Sequence, residues 1–325
     1  MLFNRIFDII KNKAQNGVEV RIIYDDMGCH NKLKRKTKKQ IKKANIKIVH
    51  FNKLLPIFNL ALNFRDHRKI IVVDGKVAYT GGVNLADEYT NERQMFGYWK
   101  DSGAQVAGAA VDNLTMAFLR QWEFITKESV AYKKYLGLFE DIKSDYVVAP
   151  FVSGPIFKYS IAKELYINMI TSAKEYLYIT TPYFIPEETF INLLISKAKS
   201  GVSVNLIIPQ VPDKKMVYVV SRDYAERLIS SGVNVYTMIN SFVHGKVIIN
   251  EGSAIIGSIN LDHRSFNQQF ESAVFTNEKE ALMQIKEDMD KTILVSNKIT
   301  ADKRRRNKIS YRIFAGILRL ISPFM

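Results

Sequence analysis

One pattern of residues occurs twice in this 325-residue chain, and it limits the folds that the chain can adopt. The first copy is HRKIIVVDGKVAYTGGVN (67–84) and the second is HGKVIINEGSAIIGSIN (244–260). Each copy contains a histidine, a lysine two residues later, two apolar runs separated by a turn, and a glycine-containing pair before an asparagine. Landmarks at Gly17, His67 and Asn84 recur 184, 177 and 176 residues later. Such nearly constant offsets predict a duplicated structural unit.

The segments around these motifs alternate between helix-like and strand-like patterns. NKAQNGVEVRIIYDD (12–26) and SKAKSGVSVNLIIPQ (196–210) each show a helix end, a glycine stop and a β-branched strand. This alternation predicts an α/β fold in which each unit contains a mixed sheet. We expect a first unit, a connection, a second unit and a basic, apolar-rich tail, at residues 1–128, 129–152, 153–298 and 299–325 respectively.

The two units differ at their beginnings. The second unit has a strand-like segment, EYLYITTPYFIP (175–186), before its first repeated helix, whereas the chain enters the first unit directly at MLFNRIFDIIKNKAQNG (1–17). We therefore expect the opening strand of the first unit to be missing from this sequence and Met1 to lie inside an ancestral domain. An unpaired sheet position would expose backbone groups and apolar surface.

The composition restricts the partner and the compartment. The chain has 47 Lys and Arg residues against 32 Asp and Glu residues, a net charge of +15, which indicates an anionic partner such as nucleic acid, a membrane surface or a phosphorylated substrate. Its one cysteine, Cys29, excludes an internal disulfide and a cysteine-based metal site. No apolar run approaches the roughly 20 residues of a membrane-spanning helix, and the first residues lack the pattern of a secretory signal.

The repeated motif has the chemistry of a phosphodiester site. Alternate residues of a strand share a face, so the histidine and the lysine of each copy are expected side by side. Glycine lets the backbone approach a ligand, and asparagine adds an amide donor. With two units facing each other, one neutral imidazole could attack phosphorus and the other could protonate the leaving alcohol, without metal or cofactor. The groups concerned are His67, Lys69, Gly82, Asn84, His244, Lys246, Ser258 and Asn260.

The first copy matches, without a gap, the HxKx4Dx6G(S/G)xN motif of the phospholipase D superfamily, with Asp74 at the aspartate position. The second copy is one residue short and offers Asn250 or Glu251 there. Over essentially its full length the chain resembles the bacterial cardiolipin synthases, through segments such as FGYWKDSGAQV, TPYFIPEE and GSINLDHRSFNQQFES. Superfamily nucleases resemble one motif copy in a shorter chain and lack YFIPEE and LDHRS, so nucleic acid is not the expected partner.

The resemblance implies two α/β/α sandwich units related by a pseudo-two-fold axis, with the active site between them. It implies phosphatidyl transfer from one phosphatidylglycerol to another, which gives cardiolipin and glycerol through a phosphohistidine. His67 is then the nucleophile and His244 the general acid and base, although the symmetry leaves the reverse assignment open. The residues that bind the phosphate would be Lys69, Asn84, Lys246 and Asn260, together with Gly82 and Ser258 of the glycine-containing pairs.

Each catalytic histidine needs a carboxylate that orients its ring. Glu271 matches a family position with this role, and we expect it beside His244. Asp101, in the segment YWKDSG, is the candidate for His67.

Membrane contact is expected without a spanning helix. The segment KRRRNKISYRIFAGILRLISPFM (303–325) combines basic and apolar residues, as interfacial segments do. NKLKRKTKKQIKK (31–43) is either a second lipid contact or a solvated helix face. We expect peripheral association with the cytoplasmic membrane through anionic phospholipid. Three alternatives stay open: a phospholipase D that uses water as acceptor, a phosphodiesterase acting on nucleic acid, and a truncated, inactive lipid-binding homologue.

Overall fold

The computed structural model describes residues 1–30, 32–53 and 63–300, together with residues 316, 318 and 319. The membrane segment expected at 303–325 therefore lies almost entirely outside the described residues. Within the described part of the chain, no helix is both long enough and apolar enough to cross a bilayer.

The first half of the chain forms one α/β unit. Gly17, at φ 87°, follows the end of the first helix and begins the turn into the first strand. The helices and strands are, in order, α1 (Leu2–Gln15), β1 (Arg21–Asp25), α2 (Arg35–Lys43), β2 (Lys47–Phe51), β3 (Arg65–Asp66), β4 (Ile70–Val73), β5 (Val77–Gly81), β6 (Tyr98–Lys100), β7 (Gly103–Ala107) and α3 (Val111–Thr126).

The second half repeats this order, except that α7 (His263–Asn267) is inserted and one strand, β15 (Gln269–Thr276), replaces β6 and β7, and it adds elements before and after the repeat. Gly201, at φ 93°, takes the place of Gly17. The helices and strands are, in order, β8 (Val148–Ser153), α4 (Ile161–Ser172), β9 (Tyr176–Thr180), α5 (Glu188–Lys199), β10 (Ser203–Pro209), α6 (Lys215–Ile229), β11 (Asn234–Met238), β12 (Ser241–Val243), β13 (Val247–Asn250), β14 (Ala254–Gly257), α7 (His263–Asn267), β15 (Gln269–Thr276), α8 (Lys279–Leu294) and β16 (Ser296–Lys298).

One large mixed sheet forms the centre of the molecule. Its strands follow the order β16, β11, β10, β9, β13, β14, β15 and β3, and β8 pairs with β15. In the first unit β1 pairs with β2 in parallel, and β4, β5 and β7 form an antiparallel sheet. The predicted fold class, α/β with two repeated units and mixed sheets, is confirmed.

Two parallel strand pairs join the units. β3 of the first unit pairs with β15 of the second, and β12 of the second unit pairs with β6 of the first. β3 ends at Asp66 and β12 ends at Val243, so each of these strands stops directly before a motif histidine. The exchange of strands therefore brings both histidines to the junction of the units.

Apolar residues on both faces of the large sheet form the main core. Helices α4, α5 and α6 cover one face, where Ile170 and Leu194 are fully buried. Helix α8 covers the other face through Leu282 and Met289. In the first unit the corresponding helix, α3, packs on β4 and β5 around Leu114. The motif hairpins thus rest on helices that hold them in place.

Asn250, the last residue of β13, lies at the hairpin turn of the shortened second motif copy. Its side-chain amide donates to the carbonyl of Met169 (2.9 Å) and to the hydroxyl of Ser172 (3.0 Å), both in α4. Its Oδ1 accepts from the backbone N–H groups of Gly252 (3.0 Å) and Ser253 (2.9 Å). Asn250 therefore ties the hairpin turn to the helix beneath it.

We predict that Asn250→Ala lowers the free energy of unfolding by about 2–3 kcal/mol, because buried hydrogen bonds are lost and turn N–H groups are left unpaired. Denaturant unfolding followed by circular dichroism measures this. Asp74→Asn is the control, since Asp74 is exposed in the corresponding turn of the first copy at φ 55°, which asparagine tolerates. An equal loss in both variants would contradict the role assigned to Asn250.

Candidate active site

Both motif histidines are held by the opposite unit. The N–H of His67 donates to the carbonyl of Phe270 on β15 (2.9 Å). In the second copy, the N–H of His244 donates to the carbonyl of Lys100 on β6 (2.6 Å). These bonds extend the two strand pairs by one residue, so the backbone fixes the position from which each histidine side chain extends.

Each imidazole is oriented by a carboxylate of the other unit. His67 Nδ1 lies 3.0 Å from both carboxylate oxygens of Glu271, and His244 Nδ1 lies 2.7 Å from Asp101 Oδ2. The expected pairing, Glu271 with His244 and Asp101 with His67, is therefore wrong. Glu271 follows the β15 residues that pair with β3, and Asp101 follows the β6 residues that pair with β12. The strand pairing thus brings each carboxylate to the histidine that follows the partner strand.

The glycine-containing pairs position these carboxylates. A Cβ on Gly82 would lie 2.1 Å from Oδ1 of Asp101, so the carboxylate needs the space that glycine leaves. In the second copy the hydroxyl of Ser258 takes this place and donates to Glu271. The N–H of Gly82 also donates to the carbonyl of Ser102 (2.9 Å), and the N–H of Ser258 donates to the carbonyl of Ser272 (2.8 Å). Gly82 and Ser258 therefore support the carboxylates, and the phosphate-binding role expected for them stays a prediction.

The two motif asparagines differ in their contacts. The side-chain amide of Asn84 donates to the hydroxyl of Tyr89. The Oδ1 of Asn260 is buried and has no hydrogen-bond partner among the described residues. Since buried polar atoms are rarely left unpaired, the amide of Asn260 has hydrogen-bonding capacity for a ligand.

Asp74 does not lie at the site. It is exposed in the turn between β4 and β5, at the end of the hairpin remote from Lys69. The strand between them has four residues, each of which advances the chain by about 3.3 Å. The structure thus places Asp74 at the far end of β4 from Lys69, and a catalytic role for it stays a prediction. Within the described ranges, no three His, Cys, Asp or Glu side chains are grouped so as to hold a metal ion.

Both motif lysines have pKa values near neutrality. The Nζ of Lys69 donates to the carbonyl of His67 (2.6 Å), and the Nζ of Lys246 donates to the carbonyl of His244. Burial lowers the pKa of Lys69 to about 8 and that of Lys246 to about 7, although the nearby carboxylates act in the opposite direction. Lys69 and Lys246 are therefore only partly protonated near neutral pH.

Both imidazoles are held neutral. Burial lowers the pKa of His244 to about 3, and the charge of Lys246 acts in the same direction, against the hydrogen bond with Asp101. Burial also lowers the pKa of His67, with Glu271 acting against it. Because Nδ1 faces a carboxylate in each case, the hydrogen bond assigns the ring proton to Nδ1 and leaves the lone pair on Nε2. Each ring can then act as a nucleophile or a base.

Aromatic residues outside the motif enclose His244. The ring of Trp99 lies 5.1 Å from the imidazole and that of Tyr89 lies 5.3 Å from it, between centroids. Trp99 Nε1 also donates to Asp101 Oδ2 (3.4 Å). Trp99 precedes Asp101 by two residues, a spacing that places both side chains on one face of a strand. That spacing is a signal by which the sequence could have indicated Trp99. The position of Tyr89, in contrast, depends on the folding of a loop.

Two α/β units that meet at paired histidine–lysine motifs define a protein of the phospholipase D class. A solved structure with this architecture is the phosphatidylserine synthase of Haemophilus influenzae Rd KW20, with a TM-score of 0.73 and 14% sequence identity, over 100% of this chain and 87% of that chain. At this identity the comparison establishes the fold alone.

The chain belongs to the family described as cardiolipin synthase, phospholipase D-like domain, whose sequence model matches residues 2–107 and 166–293. It is 38% identical over 323 residues to a cardiolipin synthase of Halalkalibacterium halodurans, covering 98% of this chain and 64% of that protein. A cardiolipin synthase of Alkalihalophilus pseudofirmus is 36% identical over 327 residues, covering 100% of this chain and 65% of that protein. The family resemblance is confirmed, and the chain spans just under two thirds of the length of these two relatives.

We predict that acid weakens the folded state partly through His244. Its pKa of about 3 lies below the ordinary value of 6.5, so unfolding takes up a proton once the pH falls below 6.5, and stability is lost progressively towards pH 3. His244→Asn should reduce this loss by up to about 1.4 kcal/mol per pH unit between about pH 6.5 and about pH 4.5. Urea unfolding across this range measures the slope.

The control for this experiment is His30→Asn, because His30 is exposed. A change of slope at His30 as large as that at His244 would contradict the prediction.

Proposed function

We propose that the chain is a phosphatidyltransferase that converts two phosphatidylglycerol molecules into cardiolipin and glycerol through a phosphohistidine. The observation that carries the proposal is the pair of histidines, each oriented by a carboxylate of the other unit and each followed by a buried or half-buried lysine. Family membership and the names of the relatives support the substrate class.

In the first half-reaction, His67 acts on the first phosphatidylglycerol. Its Nε2 lone pair attacks phosphorus, a P–N bond forms, and the bond between phosphorus and the glycerol oxygen breaks. His244 gives a proton to the departing oxygen. The Nδ1 proton of His67 stays on the ring and is donated in a hydrogen bond to Glu271, whose negative charge stabilises the phosphorylated imidazole.

The charge of the substrate prepares His244 to act as the acid. The charge of Lys246 helps to hold the pKa of His244 low. A bound phosphodiester adds a negative charge beside the lysines, which raises the pKa of the imidazole and allows Nε2 to carry a proton. Asp101 accepts the hydrogen bond from the Nδ1–H of His244 and stabilises the imidazolium.

In the second half-reaction, a second phosphatidylglycerol supplies a hydroxyl group. His244, now neutral, removes the hydroxyl proton, the oxygen attacks phosphorus, and the P–N bond to His67 breaks. Cardiolipin leaves and both rings regain their initial states. Water in place of the lipid alcohol would give phosphatidic acid by the same steps.

Four side chains would stabilise the charge on the phosphoryl oxygens. They are the ammonium groups of Lys69 and Lys246 and the amides of Asn84 and Asn260. Donors fixed in a site that excludes water stabilise the transition state far more than the same groups do in solvent. Phosphate binding should also draw the lysines to their protonated forms.

The proposal predicts cardiolipin and glycerol when the purified protein is mixed with phosphatidylglycerol liposomes and the products are followed by mass spectrometry. His244→Ala should lower the rate by at least about 100-fold, because one imidazole serves both proton transfers. With lipid labelled in its phosphate, a covalent adduct should be trapped on His244→Ala and be absent from His67→Ala.

The exposed His30 provides the control, and His30→Ala should keep full activity. An adduct on His67→Ala alone would reverse the roles of the two histidines. Phosphatidic acid as the product would indicate a hydrolase, and cleavage of nucleic acid without any lipid product would indicate a nuclease. No product from folded, liposome-bound protein would favour an inactive lipid-binding homologue.

Peripheral membrane association is part of the same proposal. The loop before α4 exposes Ile156 (74%), Tyr159 (67%) and Phe157, and Lys158 is exposed among them. Apolar, aromatic and basic side chains in one exposed loop suit the interface of an anionic bilayer. The loop therefore offers a membrane contact that does not depend on the C-terminal segment.

A groove of about 720 Å³ begins at this loop. It reaches β15 at Phe270, whose carbonyl accepts the N–H of His67. Its lining is mainly apolar with basic residues among them, and it includes Lys53, Phe64, Phe124, Lys127, Ile156 and Phe270. An acyl chain of an anionic lipid suits this lining, and it would lie between the membrane-facing loop and the strand that holds the nucleophile.

Replacing Ile156 and Phe157 together by aspartate should weaken co-sedimentation with phosphatidylglycerol vesicles by at least about 10-fold, because the loop loses apolar surface and gains repulsive charge. The control replaces Met283 and Leu294 by aspartate, since both are exposed apolar residues on α8. Equal losses in the two double variants would show that general charge, not this loop, governs binding.

A further inference from the structure

One carboxylate of the second unit, Asp213, is held beside the strand that carries His244. It follows the end of β10, in the segment that leads into α6. The N–H groups of Gln210 and Val211 both donate to the carbonyl of Ser241 (3.3 Å), the first residue of β12. Because β12 ends directly before His244, the backbone brings the segment of Asp213 to the His244 side of the active site.

The side chain of Asp213 is fixed by a phenol. The hydroxyl of Tyr183, in the turn after β9, donates to Asp213 Oδ2. β9 and β13 pair so that Thr180, the last residue of β9, lies opposite Val247, the residue after Lys246. The turn that carries Tyr183 therefore begins at the same end of the sheet as the motif lysine.

A second phenol reaches this place from the first unit. The ring of Tyr89 lies 5.3 Å from that of His244 between centroids, and its oxygen accepts a hydrogen bond from the amide of Asn84. Burial raises the pKa of both Tyr89 and Tyr183, and the negative charge of Asp213 acts on each in the same direction. The carboxylate and the two protonated phenols are thus grouped on the side of His244.

This group keeps hydrogen-bonding capacity. Among the described residues, Asp213 accepts one side-chain hydrogen bond, from Tyr183, and its Oδ1 takes no part in that bond. The hydroxyl of Tyr89 accepts from Asn84 and still has its own proton to donate. An acceptor and a donor in one place match the hydroxyl groups of an alcohol, each of which can both donate and accept.

The charge of Asp213 restricts what it can bind. A phosphodiester is unsuitable, because its oxygens have no proton to donate and two anions repel each other at short range. An ammonium group is disfavoured by the exposed Lys214, whose Nζ lies 4.9 Å from the ring centroid of Tyr183. The ligand group that suits Asp213 is therefore neutral and carries hydroxyl groups.

The proposed reaction brings such a group to this side of the site. In a displacement at phosphorus the entering and the departing atoms lie roughly in line. When His67 forms the P–N bond, the departing glycerol oxygen faces His244, and the free hydroxyl groups of the same glycerol extend beyond it. They meet the side of the site where Asp213 and the two phenols lie.

We propose that Asp213, held by Tyr183, binds the free hydroxyl groups of the glycerol headgroup and so selects a polyol over water and over amino alcohols. The inference rests on the proposed phosphatidyl transfer. In the first half-reaction Asp213 holds the departing glycerol. In the second it holds the headgroup of the incoming phosphatidylglycerol, so that a lipid hydroxyl, and not water, reaches His244. Tyr89 donates to an oxygen of the same headgroup.

The binding of two short-chain lipids tests the proposal. Dihexanoyl phosphatidylglycerol and dihexanoyl phosphatidylmethanol carry the same charge, but the second has no free hydroxyl group. Binding to the His67→Ala chain, which lacks the proposed nucleophile, is followed by the fluorescence of Trp99, whose ring lies 5.1 Å from that of His244. Phosphatidylglycerol should bind at least about 10-fold more tightly, because its hydroxyl groups donate to a carboxylate.

Asp213→Ala in the same chain should reduce this preference to about 2-fold or less and leave the binding of phosphatidylmethanol unchanged, because the phosphate contacts lie elsewhere. Tyr183→Phe should give an intermediate preference, since the carboxylate loses the hydroxyl that holds it. The matched control is Asp290→Ala, because Asp290 of α8 also accepts from a tyrosine, Tyr178 (2.7 Å), and should leave the preference unchanged.

Equal binding of the two lipids, binding of neither, or a preference that survives Asp213→Ala would overturn the proposal. So would tighter binding of dihexanoyl phosphatidylethanolamine that Asp213→Ala abolishes, since Asp213 would then recognise an amine.

Product analysis separates this proposal from the proposed function. With His67 intact, Asp213→Ala should lower the ratio of cardiolipin to phosphatidic acid by at least about 10-fold, because the lipid alcohol is no longer held against water. Cardiolipin formation together with equal binding of the two lipids would overturn the role of Asp213 and retain the transferase. A binding preference that depends on Asp213, without cardiolipin from the unmodified chain, would retain the glycerol subsite and overturn the transferase.

Discussion

Two short parallel strand pairs across the unit boundary set the geometry on which the site depends. β3 on β15 and β6 on β12 each deliver one histidine from one unit and one carboxylate from the other. Ladder hydrogen bonds fix the register of a strand residue by residue, so the side chains that follow the pairs meet without further adjustment. The same junction buries Lys246 and encloses His244, which is why the imidazoles are neutral and the lysine pKa values are low.

Residue spacing was enough to predict the duplicated unit, the fold class and the two histidine–lysine pairs. The pairing of carboxylates with histidines could not be predicted in this way, because it joins residues far apart in the chain: His67 and Glu271 are 204 positions apart. A pseudo-two-fold arrangement permits either pairing, and only the register of strands between the units decides. Proximity in sequence favoured Glu271 for His244, and the strand exchange overrides that local signal.

Motif matching was also uninformative for residues whose role is to position another side chain. Gly82 matters for the space that it leaves to Asp101, and Ser258 matters for the hydrogen bond that it gives to Glu271. Aspartate is one methylene shorter than glutamate, and the two copies use different small residues beside the two acids. The motif, written as a glycine followed by glycine or serine, records which small residue is present. It does not record the reason, which is the carboxylate on the neighbouring segment.

The low pKa values of Lys69 and Lys246 bear on which anions the protein selects. Because these values are about 8 and about 7, a negative charge placed beside either ammonium group changes its protonation near neutral pH. An anionic bilayer concentrates cations, including protons, at its surface, so the same lysines carry more charge when the chain lies on a membrane. If the chain acts at a membrane as proposed, the lysine pair would carry more charge beside a headgroup in a bilayer than beside the same headgroup free in water.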